Sequence, residues 1–277
     1  MPDQMAKQAE DAGIKKANRS FSKTLVLSIL AGAFISFGAI FTTTITAEVS
    51  LTSAFTKLLG GLAFSLGLIL VIIGGAELFT GNNLIVMAWA NKRIKTTYAL
   101  KNWAIVFCGN FVGAFSVAVL MFYSSLYAAG SGNIGAKALI IAENKCSLGF
   151  FQAIILGIFC NVLVCLAVWL CYSAKTTSDK ILAILFPITA FVVIGFEHSV
   201  ANMYFIPKAL LIKSYAGSEF WTSINASPEM YGHLTWGNFF IQNLIPVTMG
   251  NVIGGAGLVG LVYWFVYLGS AERPLNP

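Results

Sequence analysis

Residues 75–82 read GAELFTGN and residues 195–202 read GFEHSVAN. The two octets share the pattern Gly-x-Glu-x4-Asn, with Gly75, Glu77 and Asn82 in one and Gly195, Glu197 and Asn202 in the other. Each sits inside an otherwise apolar run, 58–90 and 181–212. As unbroken helix such a run would be nearly 50 Å long at about 1.5 Å per residue, while the hydrocarbon core of a bilayer is about 30 Å thick. The polar centres therefore read as breaks in two long membrane helices. A break at membrane depth frees backbone groups, and is tolerated only where the irregular chain is buried in protein or lines a watery cavity. A path for something polar is expected there.

Composition agrees with a membrane setting. Of 277 residues, 57% are hydrophobic and 10% charged, against about 25% charged in a soluble domain, and the mean hydropathy is +0.80. Apolar runs fall at 25–47, 58–90, 103–128, 149–173, 181–212 and 238–268. They are too long and too continuous for an outer-membrane barrel. The expected fold is an all-α integral membrane protein of six transmembrane helices, the second and fifth broken. Residues 1–24 form an N-terminal arm, 25–269 a single transmembrane channel domain, and 270–277 a tail. Twelve of the 17 lysines and arginines lie in the arm, the 91–102 and 174–180 loops and the tail. The positive-inside rule then makes both termini cytoplasmic. The arm contains a polar helix, AKQAEDAGIKKA at 6–17, read as solvated on the cytoplasmic face.

The octets are not the only internal match. Gly32-x-Phe34-x-Ser36 in the first span answers Gly157-x-Phe159-x-Asn161 in the fourth, and Gly109-Asn110-x-x-Gly113 in the third answers Gly250-Asn251-x-x-Gly254 in the sixth. Three matches in order indicate a duplicated three-span unit, 25–128 and 149–269. Since three is odd, the copies insert in opposite senses, which brings the two breaks together near the midplane.

Glu77 and Glu197 are equivalent in this repeat. A buried carboxylate must be paired, hydrogen-bonded or neutral, and repetition favours a structural clamp on unwound backbone over a proton relay. His198 is different, because its counterpart is Leu78. An imidazole at a helix break can donate a hydrogen bond to an anion, or pass a proton. Thr80 offers a hydroxyl to a passing solute, and Gly81 a backbone conformation that other residues avoid. The net charge of +6 has no soluble domain to sit on, so no nucleic-acid partner is expected. Cys146 lies in a loop and the other four cysteines in apolar runs, without a C-x-x-C pair; with only two histidines, no metal, cofactor or enzyme activity is expected.

FSLGLILVIIGGAELFT at 64–80, NVLVCLAVW at 161–169, GFEHSVANM at 195–203 and NLIPVTMGNVIGG at 243–255 resemble the formate/nitrite transporter family, and its formate channels most. The resemblance covers essentially the whole chain. It implies a homopentamer in the bacterial inner membrane, with lipid around it and an aquaporin-like pore in each protomer. Formate is the implied solute, with nitrite or hydrosulfide as alternatives. A neutral-solute aquaporin is a further class, but its paired Asn-Pro-Ala motifs do not occur here. The resemblance assigns Leu78, Thr80 and His198 to the pore, Leu68 and Val164 to the cytoplasmic narrowing, and Phe64 and Phe191 to the periplasmic one. Asn161 and Asn251 are placed near the path, and Lys145 in the outer vestibule as a collector of anions. Where a formate channel of the family has FTST after an aspartate, this chain has Glu77 and then Phe79-Thr80-Gly81-Asn82, which separates it in the loop on which gating would depend.

Overall fold

A computed structural model describes residues 2–47 and 54–269, and the expected tail at 270–277 lies outside the described residues. The chain runs through α1 (Pro2–Ala17), α2 (Phe21–Thr46), α3 (Ala54–Gly74), α4 (Val86–Ala90), α5 (Thr96–Tyr123) and α6 (Asn133–Cys146). It continues through α7 (Phe150–Cys171), α8 (Thr177–Ile194), α9 (Ser199–Tyr215), α10 (Ser218–Ser223) and α11 (Trp236–Tyr267), the last containing two π-helical stretches. Helices α2, α3, α5, α7, α8 and α11 are long and apolar enough to cross a membrane. Among the described residues there is no β-strand.

The second and fifth spans break as the octets predict. Helix α3 stops at Gly74 and α8 at Ile194, and the next residues, Gly75 and Gly195, have φ of +74° and +88°. A Cβ is penalised in that left-handed region. The amides of Ala76 and Phe196 then close matching turns onto the carbonyls of Val71 and Phe191, at 2.9 and 3.0 Å. Gly81 does not have the role expected of it. Its φ is not positive, it opens a 3-10 turn at Gly81–Ile85, and an added Cβ would meet Val168 at an ordinary 3.5 Å. The conformational need lies six residues earlier, where the helix ends.

The duplicated unit is present, with one correction to its register. Asn110 donates to the carbonyl of Ser28 and Asn251 to that of Gly157, both at 2.8 Å. A Cβ on Gly113 would lie 2.0 Å from Ile29 O, and one on Gly254 would lie 2.1 Å from Ile158 O. Ser28 is thus equivalent to Gly157 and Ile29 to Ile158, so the pairing of Gly32 with Gly157 is out by four residues. Four residues are close to one helical turn, which leaves the same face inward. A three-residue pattern cannot detect that shift.

The repeat also begins earlier than the apolar runs suggest. Helix α1 is not a solvated arm: Ala6, Ala9, Glu10 and Gly13 are buried. Ala6 and Ala9 pack with Met87 and Trp169, close to the aromatic end of α11 at Tyr263 and Tyr267. Small residues three and four apart let α1 lie close, and Gly13 would need to yield to Ala88 if it bore a Cβ, at 3.2 Å. Glu10 is tied to Lys7 and to Asn91 in the loop before α5. Burial pushes its carboxyl up, but those hydrogen bonds and the charges of Lys7 and Arg93 outweigh it and hold the group below its usual value. Helix α6 is the counterpart in the second half, with Gly135, Ala138 and Ala142 buried on one face. Cys146 is the last residue of that helix rather than part of a loop, and burial, with Glu143 nearby, pushes its thiol up to about 12.

Candidate functional site

Each break is held by the same constellation. Glu77 accepts hydrogen bonds from Lys16 at 3.0 Å and Asn82 at 2.6 Å, and from Arg19. Glu197 accepts from Lys145 at 2.7 Å, Asn202 at 2.7 Å and Asn243 at 3.3 Å. Asn82 donates to Asn102, and Asn202 to Asn243. Asn102 and Asn243 in turn donate to the carbonyls of Lys16 and Lys145. The glutamates therefore meet cations and amides, not the freed backbone that the clamp reading assigned to them.

The backbone at the breaks is held by a second pair of asparagines. Asn110 Oδ1 accepts from the amide of Phe79 at 2.8 Å while its Nδ2 donates to the carbonyls of Ser28 and Glu77. Asn251 Oδ1 accepts from the amide of Ser199 at 3.0 Å while its Nδ2 donates to those of Gly157 and Glu197. Each amide side chain thus spends its acceptor and one donor on backbone groups of the break, and its second donor on a carbonyl inside the neighbouring helix, Ser28 of α2 or Gly157 of α7.

Two cavities face one another across the breaks. One, of about 300 Å3, opens on the side that carries α1 and is lined by Lys16, Arg19, Glu77, Leu68 and Leu78. The other, of about 340 Å3, opens on the far side and is lined by Lys145, Glu197, Phe64, Phe191 and His198. Phe64 and Leu68 are one turn apart on α3 yet belong to opposite cavities, so the barrier between them is about 6 Å deep at that helix. The rings of Phe64 and Phe191 meet edge to face at 5.5 Å, and Leu68 and Leu78 are 2% and 3% exposed. Against this apolar barrier stands one polar pair, Thr80 Oγ1 and His198 Nε2, 3.0 Å apart and both buried. The amide of Ala201 donates to His198 Nδ1 at 3.1 Å. Nδ1 is therefore the acceptor nitrogen, and the neutral ring carries its proton on Nε2, toward Thr80.

A family model described as formate/nitrite transporter matches residues 3–265. The chain belongs to that family. It is 46% identical over 269 residues to a protein of Escherichia coli strain K12 named formate channel FocA, covering 97% of this chain and 94% of the relative. A formate channel FocA of Haemophilus influenzae is 42% identical, covering 94% and 92%. A solved structure described as a pentameric formate channel with formate bound superposes with a TM-score of 0.85 at 42% identity, covering 92% of this chain and 99% of that one.

The residues expected at a pore of this family divide into three groups. Phe64, Phe191, His198 and Lys145 line the far cavity, Leu68, Leu78, Glu77 and Gly81 the other, and Glu197 is on the far wall. Thr80 lies behind the barrier, bonded to His198. Val164, Asn161 and Asn251 stand outside both linings: Val164 packs in the core, and Asn161 donates to the carbonyls of Thr80 and Asn251 and to Asn83. Sequence reasoning missed Lys16, Arg19, Asn102, Asn110 and Asn243. Asn102 and Asn243 keep the spacing from Asn110 and Asn251, eight residues, that would have revealed them.

Proposed function

We propose that this chain is a formate channel of the bacterial cytoplasmic membrane, with both termini in the cytoplasm and five copies assembling, each around its own pore. The observation that carries the reading is the Thr80–His198 pair at the barrier between two cavities. Formate is an anion at neutral pH, like any carboxyl group of pKa about 4. An apolar constriction strips it of water, at a cost that only replacement hydrogen bonds can offset. Here Ala201 N–H fixes Nδ1 as acceptor and Nε2–H donates to Thr80 Oγ1. The threonine's own hydroxyl proton is then left for the solute, giving a chain of donors that ends at the anion.

This arrangement favours donation over proton delivery. Surrendering the Nε2 proton would leave an imidazolate, and adding one at Nδ1 would break the bond from Ala201. Passage is therefore electrogenic anion flow, and the phenylalanine and leucine walls exclude larger or better hydrated solutes. The relatives named as formate channels, and the formate-bound structure, support formate over nitrite or hydrosulfide.

The test is flux into proteoliposomes with formate, nitrite and hydrosulfide in competition, at clamped membrane potential. Formate should be the preferred solute, its flux should follow the potential, and His198→Ala should lower that flux about 10-fold or more, because the buried Thr80 Oγ1 loses the donor that leaves its own proton to the solute, at a cost of about 1–3 kcal/mol. Formate flux indifferent to potential, or unchanged in His198→Ala, would remove the mechanism. Preference for nitrite or hydrosulfide would reassign the solute.

A further inference from the structure

Lys57, in the first turn of α3, lines the far cavity together with Lys145, Glu197 and His198. Its side chain is exposed, and among the described residues its ammonium takes part in no ion pair or hydrogen bond. Lys145 is in a different situation. Its Nζ lies 2.7 Å from Glu197 with the side chain only 16% exposed. A cation and a carboxylate at that distance present a dipole to the mouth rather than a charge. Two threonines of the wall add no free donor, because Thr42 donates to Gly60 O and Thr46 to Thr42 O.

The opposite mouth shows what is missing. There Glu77 is paired with two cations, Lys16 and Arg19, and Lys180 lines the same cavity, so two positive charges are left over. At the far mouth Lys145 and Glu197 cancel, and among the described residues of that lining the excess positive charge is Lys57. A charge in a cleft with low-dielectric walls raises the local concentration of counter-ions.

We propose that Lys57 is the residue whose uncompensated charge draws small monovalent anions into the far mouth, and that it sets the half-saturation of entry from that side. Lys145 then positions: it holds Glu197 by its ammonium and Asn243 by its carbonyl. The choice of formate as the anion rests on the reading above, whereas the charge at the mouth does not.

Two measurements test this separately. In zero-trans formate flux, Lys57→Gln should raise the half-saturation for entry from the far side by about 3-fold and Lys57→Glu by about 10-fold, with maximal flux and the half-saturation from the other side retained. Raising inert salt from about 0.02 to 0.3 M should raise the wild-type value and leave that of Lys57→Gln nearly flat. The second measurement needs no formate. Asn144 is exposed on the same cavity wall, and a cysteine placed there by Asn144→Cys can be modified from the far side with anionic or cationic methanethiosulfonates. The ratio of anionic to cationic rates should fall about 3-fold with Lys57→Gln and about 10-fold with Lys57→Glu. A ratio that does not move overturns the proposal, and so does an unchanged half-saturation in a wild-type background that carries formate. A ratio that moves in a protein carrying no formate would uphold Lys57 and discard formate as the solute.

Discussion

His198 and Leu78 occupy the same place in two copies of one structure, and the chemistry of the path lies in the difference between them. That difference is legible in the sequence as soon as the octets are aligned, since Glu and Asn repeat and the histidine does not. What the alignment could not give is the polarity of the hydrogen bonds. It depends on Ala201 N reaching back to Nδ1 and on Thr80, 118 residues away, meeting Nε2. If Thr80 is the terminal donor, the hydroxyl matters and the methyl does not. Thr80→Ser should keep formate flux within about 3-fold of wild type, while the isosteric Thr80→Val should lower it by about 10-fold or more, through loss of a single donor to a charged acceptor. Equal flux in Thr80→Val and wild type would show that Thr80 does not serve the solute. Asn161 and Asn251 illustrate the converse: the resemblance placed them beside the path, and the structure spends their amides on Thr80 O, Gly157 O and Glu197 O. An asparagine's type and position do not reveal which of its four hydrogen-bonding sites are already occupied.

Elements are matched in pairs, and the contacts between them are tighter than hydropathy can show. Helix α5 approaches α2 at Gly113 as α11 approaches α7 at Gly254, each with a neighbouring carbonyl where a Cβ would stand. Such packing replaces the hydrophobic drive that is absent between helices in lipid. The glycine spacing was readable, but its partner's register was not, because a shift of one turn preserves the inward face. The corrected register makes a quantitative prediction. Gly113→Ala and Gly254→Ala should destabilise by similar amounts, about 1–3 kcal/mol each by overpacking. At Gly149, where nothing lies within 4 Å of the added methyl, alanine should be tolerated. Thermal unfolding in detergent would measure all three, and a large cost at one of the paired glycines without the other would contradict the equivalence.

At the scale of the whole molecule, the six spans, the two breaks and their inversion follow from the sequence, but the repeat is longer than the spans. Helices α1 and α6 each bring a small-residue face against the bundle and a lysine onto the acid of a break. Helix α1 is legible as a helix, but its docking is not, for a physical reason: alanine and glycine bury little apolar area, so a polar helix with such a stripe has the composition of a solvated one. The consequence is that α1 completes the charge of the bundle. Without α1 and the link that follows it, Glu77, 2% exposed, would keep Asn82 and lose both cations, Lys16 of the helix and Arg19 of the link. Removing one side of a buried ion pair costs more than the pair contributes, because a buried charge is left unmatched. Lys16 and Arg19 retain 27% and 30% exposure, which places the expected loss for Lys16→Ala with Arg19→Ala at about 2 kcal/mol, below the fully buried case. Adding Glu77→Gln should recover most of it, since a neutral amide still accepts from Asn82 and has no charge to match. The same Glu77→Gln change in the wild type should destabilise, by leaving two cations facing each other. If Glu77→Gln instead lowers stability equally in both backgrounds, α1 is held by its alanine and glycine face alone, and the paired charges at the two mouths are not part of what closes the fold.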